Sequence, residues 1–134
     1  MTDIPFDDNS FDVVLCSLSL HYLTPSRLMG CFGEVRRVLR KYGWFAFSYP
    51  NVDARPSAKD AMELDWGTLE ELLASAGFKV SGRTGITPYF PGWLVGLAEG
   101  HLFPLLKPCL DRLADWVMDK PDHAYHYAVY CYHE

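Results

Sequence analysis

Ile4-Pro5-Phe6-Asp7-Asp8-Asn9-Ser10-Phe11-Asp12-Val13-Val14-Leu15-Cys16-Ser17 is the stretch on which the reading of this chain turns. Asp7, Asp8, Asn9 and Ser10 form a polar turn, since Asp and Asn side chains hydrogen-bond the backbone beside them. Phe11–Cys16 follows as an apolar run with the β-branched content of a buried strand. It ends at the small polar pair Cys16-Ser17, and His21-Tyr22 comes shortly after. Ligands of open α/β sheets bind outside the carboxyl ends of the strands, so this end is a candidate binding rim. Such a strand ordinarily follows the strands it pairs with. Placed this early, it makes the chain read as if it starts in mid-domain.

Working outward, Thr24-Pro25 predicts a helix start, with Thr as N-cap and Pro at the first helical position. Leu28, Cys31, Phe32, Val35, Val38 and Leu39 recur at helical spacing and form one apolar stripe. Gly43 closes this helical region, and Trp44–Tyr49 reads as a second strand, apolar on both faces like a strand covered by helices on both sides. Strand, helix and strand make a βαβ unit with a right-handed crossover. Residues 51–67 read as a polar loop or lid. Thr68 with Glu71 three residues later predicts a capping box, followed by the stripe Leu69, Leu72, Leu73 and Ala76. Gly77 closes that helix, with Phe78 packing back. Lys79–Arg83 is a short strand. His123–His133 is a long aromatic one, with Tyr125, Tyr127, Val129 and Cys131 on one face and His126, Ala128, Tyr130 and Tyr132 on the other.

Between Ile86 and Leu106 the only ionisable residues are Glu99 and His101, and Gly92, Gly96 and Gly100 fall four apart. That glycine spacing suits close helix approach in membranes. Pro88, Pro91, Pro104 and the embedded Glu99 argue against a span, which needs about twenty predominantly apolar residues. Residues 92–118 are therefore expected as one or two helices covering the sheet, and an integral membrane segment is not expected. A peripheral membrane contact, or an apolar wall for a substrate, is the alternative. The resulting single domain divides into a core (1–50), a loop or lid (51–67), a helix and strand (68–83), an apolar helical cover (84–122) and a final strand (123–134).

Composition sets outer bounds. The chain has 134 residues, 49% hydrophobic and 22% charged, which is globular. Its net charge of −5 argues against nucleic acid as a partner, because phosphate neutralisation needs clustered Lys and Arg. The one basic cluster, Arg36-Arg37 with Arg40-Lys41, lies where it complements a helix dipole. Four cysteines without a C-x-x-C pair, and a Met1-Thr2-Asp3 start without a basic and apolar leader, point to a reducing, cytoplasmic setting.

With these residues in place, the chain resembles the carboxyl-terminal half of a class I S-adenosylmethionine-dependent methyltransferase, and most of all the broad type 11 methyltransferase domain. That group carries a Leu-Pro-Phe-x-Asp-x-Ser-Phe-Asp turn into its fourth strand and a Leu-His-His-Leu cluster after it. Ile4 to Asp12 and Leu20-His21-Tyr22-Leu23 are similar to these. The family's Glu-x-x-Arg-Val-Leu-Arg-Pro-Gly-Gly corresponds to Glu34 through Gly43, with Lys41-Tyr42 replacing Pro-Gly. If the turn keeps its shape, Tyr42 takes a position of positive φ. The helix ending Ala76-Gly77-Phe78 is also similar to the family's.

The resemblance implies a partial Rossmann-like α/β sheet with flanking helices, supplying strands 4-5-7-6 of the family's order, the last strand antiparallel. The family's glycine-rich turn and its two cofactor-binding acids precede the region matched, and the ten glycines here contain no G-x-G-x-x-G. The implied cofactor is S-adenosylmethionine, with a small or apolar methyl acceptor. Cys16, Ser17 and Leu18 would lie against its methionine end or sulfonium, and Ile4 with Phe6 would border the adenine. Tyr22 and Tyr49 would face the substrate side, and His21 is the candidate base, because imidazole titrates near neutrality. A packing or helix-capping His21 is the alternative.

Other chemistries fit less well. His123 and His126 fall on opposite faces of a strand, and no Cys–His spacing matches a structural zinc site, so no metal is expected. A Cys16–His21 nucleophile needs a depressed thiol pKa that an apolar strand end does not supply. Asp7, Asp8 and Asp12 read as a solvated turn rather than paired catalytic acids. The contrasting function is a non-catalytic remnant or interaction module. In either reading Phe11–Cys16 is an exposed apolar edge, which invites pairing with another chain. The expectation is self-association or a partner along that edge; light scattering that shows a monodisperse monomer would count against it.

Overall fold

The computed structural model describes residues 3–52, 64–88, 108, 111, 112, 115 and 124–134. Among the described residues, the elements with assigned bounds follow in the order β1 (Phe11–Cys16), α1 (Pro25–Val38), β2 (Leu39–Pro50), α2 (Trp66–Ser75), β3 (Phe78–Pro88) and β4 (Ala124–His133). A single 3-10 turn at Leu20–Tyr22 separates β1 from α1. The sheet order is β1-β2-β4-β3. β1 runs parallel to β2, and β4 runs antiparallel to both β2 and β3. This is the expected 4-5-7-6 arrangement with an antiparallel last strand.

The register of β2 decides which side chains are buried. Phe45, Phe47 and Tyr49 pair with Cys131, Val129 and Tyr127 of β4, and all six lie on one face. They join Leu28, Phe32 and Val35 of α1 and Leu69 and Leu73 of α2 in a single core. The Phe32 ring meets Phe45, Phe47 and Phe78 at centroid distances of 6.1, 6.2 and 6.4 Å. Every residue of the expected α1 stripe is buried. Burying a side chain of this size is worth about 1.5–3 kcal/mol, so this face supplies the main cohesion.

On the other face less is covered by the described residues, because α1 and α2 both pack on the first. Val13, Leu15, Trp44 and Tyr130 on the second face are 51, 77, 43 and 40% exposed. The stretch 92–118, expected as helical cover, lies outside the described residues except for 108, 111, 112 and 115, which are helical. Of the apolar cover expected over 84–122, residues 84–88 are corrected: Thr84 to Pro88 extend β3 and pair with β4. Glycines at 82 and 85 and three register shifts broke the alternation that would have revealed this strand. His123 and the side chain of Tyr125 also lie outside the described residues. The face assignments of His126 to Tyr132 agree with the burial pattern.

Two boundaries move. α1 ends at Val38 rather than near Gly43, because the Asn9 and Ser10 amides donate to the Arg37 and Val38 carbonyls at 3.0 and 2.8 Å. Those carbonyls would otherwise be orphaned at the helix end. β2 then pairs Leu39 with Phe11, makes an excursion, and resumes with Trp44 opposite Val13. Within the excursion Tyr42 has φ 65°, as expected. A Cβ on Gly43 would lie 2.8 Å from the Arg40 carbonyl, so the backbone there admits only glycine. α2 begins at Trp66, two residues inside the expected loop, and its N-cap is Asp65 rather than Thr68. The Asp65 carboxylate accepts from the Thr68 amide and hydroxyl at 3.0 and 2.8 Å, so Thr68 is the capped residue, not the cap. At the other end Gly77 has φ 84°, as expected of a glycine closing a helix.

The strained excursion is directly testable. Tyr42 is largely exposed, so Tyr42→Gly loses little packing. It relieves a left-handed residue worth ~1 kcal/mol or more and gives up a Lys41–ring contact worth ~0.5 kcal/mol. Urea unfolding should show Tyr42→Gly slightly more stable than wild type and Gly43→Ala clearly less stable. Destabilisation by both would contradict the assignment of strain to residue 42.

Candidate functional site

The carboxyl ends of β1 and β2 lie side by side, with Cys16 paired to Phe47, and the chain after β1 folds over that corner. The Cys16 sulfur and Ser19 hydroxyl meet at 3.0 Å, closing the loop. Leu18 within it has φ 48°, uncommon for a residue with a bulky side chain. Its amide donates to the Ser48 hydroxyl at 2.8 Å, and Ser48 reaches Ser17 at 3.5 Å. Leu15, Cys16, Ser17, Ser48 and Tyr130 line a shallow cavity of about 270 Å³ at this corner. Residues 16–23 contain no Lys or Arg, so the rim presents hydroxyls and backbone without positive side-chain charge.

The 3-10 turn brings the other candidates to the same end. The His21 ring is buried, 4.1 Å from the Tyr22 ring and 6.3 Å edge-on to Tyr49. Tyr22 is exposed. Tyr49 is fully buried, and its hydroxyl accepts from the Leu64 amide at 3.1 Å. Tyr49 therefore acts here as a wall that anchors the approach to α2. Asn51, also buried, donates to the Ala124 carbonyl at 3.0 Å and ties the end of β2 to the start of β4.

Six candidates thus gather at one end: Cys16, Ser17, Leu18, His21, Tyr22 and Tyr49. Ile4 and Phe6 do not join them. They precede the amino end of β1, a six-residue strand that spans about 17 Å at ~3.3 Å per residue. There, α1 clamps them. Glu34 accepts from the Ile4 amide at 3.0 Å. Arg37 donates to the Ile4 and Phe6 carbonyls at 2.9 and 2.8 Å, and pairs with Asp8 at 2.7 Å and Glu34 at 2.9 Å. Arg40 pairs with Asp12 at 2.6 Å. Two of the four basic residues thus pair with acids of the turn, Arg37 with Asp8 and Arg40 with Asp12.

Among the described residues the two other thiols, Cys31 and Cys131, are buried. Burial pushes the Cys131 thiol up to about 12, and burial followed by the nearby Cys16 raises Cys31. Among the described residues no three His, Cys, Asp or Glu side chains converge as metal ligands. No helix among them is long and apolar enough to cross a membrane. Ser48, Ser19 and Asn51 escaped the sequence reading. For Ser48 the signal was available: one hydroxyl inside the apolar run Trp44–Tyr49.

Comparison with known proteins bears on the same end of the chain. Residues 1–47 match the sequence model of the family described as a methyltransferase domain. The chain is 43% identical over 44 residues to an uncharacterized methyltransferase of Synechocystis, covering 33% of this chain and 21% of that protein. It is 40% identical over 77 residues to a Mycobacterium ulcerans protein named as a probable phthiotriol/phenolphthiotriol dimycocerosates methyltransferase, covering 58% and 25%. The structure of an S-adenosylmethionine-dependent methyltransferase from Mesorhizobium loti superposes with a TM-score of 0.61 at 20% identity, over 98% of this chain and 65% of that one. The chain therefore spans about a quarter or less of the curated relatives it matches.

The clamp at Arg37 carries a pH dependence. Arg37 first, then the Ile4 amide, lower the Glu34 carboxyl from 4.5 to about 2. A depressed folded-state value means that Glu34 adds stability at neutral pH, and that this is lost as pH falls from about 4.5 through about 2. Glu34→Gln should be less stable than wild type at neutral pH, with the difference shrinking across that window in urea titrations. A gap that stays constant from pH 7 to 2 would contradict the ionic origin.

Proposed function

The chain belongs to the class I S-adenosylmethionine-dependent methyltransferase domains, and from that premise we propose that the β1–β2 corner is the sulfonium side of a cofactor cleft serving methyl transfer. The observation that carries this is the loop Cys16–Ser19. It is held in one shape over the carboxyl ends of two parallel strands and is free of basic side chains. A cationic sulfonium is favoured by such hydroxyl and carbonyl groups and would be repelled by Lys or Arg. In this reading Cys16, Ser17 and Leu18 form the rim against the methionine end. Ile4 and Phe6 are left out of this rim because they sit at the opposite end of β1.

When bound, S-adenosylmethionine supplies an electrophilic methyl group for in-line displacement, so positioning does much of the catalytic work. The chain's own part is to orient and to exclude water. Tyr49 and the buried face of His21 back the rim, while Leu18 and Tyr22 present apolar surface beside it. That surface supports an apolar acceptor, and the Mycobacterium ulcerans relative is named for dimycocerosates. His21, beside Tyr22 and Tyr49 at this end, is the candidate base of this reading.

A second reading rests on β1 itself. It is an edge strand, and Val13 and Leu15 on it are more than half exposed. This favours an interaction module that pairs with another polypeptide along the edge. Calorimetric titration of the full chain with S-adenosylmethionine separates the two. Saturable binding with a Kd of about 1–100 μM supports the cleft, and His21→Gln should leave that affinity within about twofold. No heat up to about 1 mM ligand would overturn cofactor binding by this chain and favour the interaction module.

A further inference from the structure

Resting on the methyltransferase reading above, we propose that Ser48 is the positioning residue of the cofactor rim: its hydroxyl holds the Leu18 amide and thereby fixes the loop Cys16–Ser19. Three observations converge on it. Ser48 is only 8% exposed, between the buried residues Phe47 and Tyr49, so its hydroxyl is desolvated and needs a partner. That partner is the Leu18 amide, 30 residues away in sequence, at 2.8 Å. Leu18 in turn has φ 48° with its side chain 48% exposed, so side-chain packing does little to compensate for its backbone conformation. Such a conformation persists only where surrounding contacts over-determine it. The Cys16–Ser19 contact at 3.0 Å closes the loop across its base, and Ser48 holds its apex.

Ser48 therefore acts through the loop and does not itself touch the reacting atoms. Its effect should fall on cofactor affinity and on local order at residue 18, more than on the sheet. Ser48 stands on the sparsely covered face of the sheet with Trp44 and Ala46, away from the main core, so removing one oxygen leaves the packing of Phe45, Phe47 and Tyr49 in place.

The test compares Ser48→Ala with Ser48→Thr in the full chain, by amide hydrogen exchange, urea unfolding and S-adenosylmethionine titration. In Ser48→Ala the Leu18 amide should exchange about tenfold faster or more, while amides of the paired regions of β2 and β4 stay within about twofold. Cofactor affinity should fall by about tenfold, and Ser48→Thr should restore both. If alanine weakens the fold, Ser48→Cys, nearly isosteric but a poorer acceptor, gives the same comparison. Wild-type protection of Leu18 in Ser48→Ala would overturn the proposal. So would lost protection with unchanged affinity, or equal losses in the alanine and threonine variants. If wild-type chain binds no cofactor, the cleft reading falls; the exchange data then decide by themselves whether Ser48 holds the loop.

Discussion

The alternation along β2 is the constraint on which the rest of this structure depends. β2 pairs on one side with β1 and on the other with β4, so its register assigns every neighbouring residue to a face. A slip of one residue would move Phe45, Phe47 and Tyr49 out of the core and bring Trp44, Ala46 and Ser48 in. Burial of those three aromatic rings against Phe32, Tyr127 and Phe78 makes such a slip expensive. The same register delivers Ser48 to the loop after β1 and Tyr49 to the approach to α2. Core and candidate site are therefore two consequences of one pairing.

A second constraint acts at the opposite end of the sheet. The polar turn before β1 docks on the last turn of α1 through backbone bonds from Asn9 and Ser10, and through Arg37. This ends the helix, sets where β2 can start, and forces the excursion at Arg40–Gly43. Tyr42 adopts φ 65° because the chain must turn there within a few residues. The turn thus braces the parallel β1–β2 pair at its amino end, which gives the acidic stretch a part in building the fold.

What could be read in the sequence was what repeats at a fixed period. The α1 stripe and the aromatic alternation of β4 rest on periodic burial, and the sheet order on motif resemblance; Phe11–Cys16 is a strand as its apolar run implies, but none of its six residues is buried, because it forms an edge of the sheet. What escaped has no period. Residues 84–88 of β3 contain one glycine, two threonines and a proline with register shifts among them, so no alternation marked them as strand. The cap of α2 was misplaced because two cap-compatible residues, Asp65 and Thr68, lie three apart, and only the geometry shows which one accepts. At the candidate site, Cys16 through Tyr22 were visible as polar residues after an apolar strand. Ser48 was not singled out, since one serine in a strand means nothing until its neighbour across the sheet is known.

The separation of Ile4 and Phe6 from Cys16–Leu18 shows how far a resemblance carries. A motif aligned along the chain places both groups within one short stretch, Ile4 to Leu18, yet β1 runs between them, and a strand separates its ends by its full length. Closeness in sequence across a strand is distance in space, whereas Leu18 and Ser48, 30 residues apart, are in hydrogen-bond contact. Parallel pairing causes this: β1 and β2 point the same way, so the residues that follow each strand meet at one end. Residues that share a strand end meet in space, and by that criterion the loop Cys16–Ser19, His21, Tyr22 and Ser48 form one group, while Ile4 and Phe6 lie with the turn at the other end of β1.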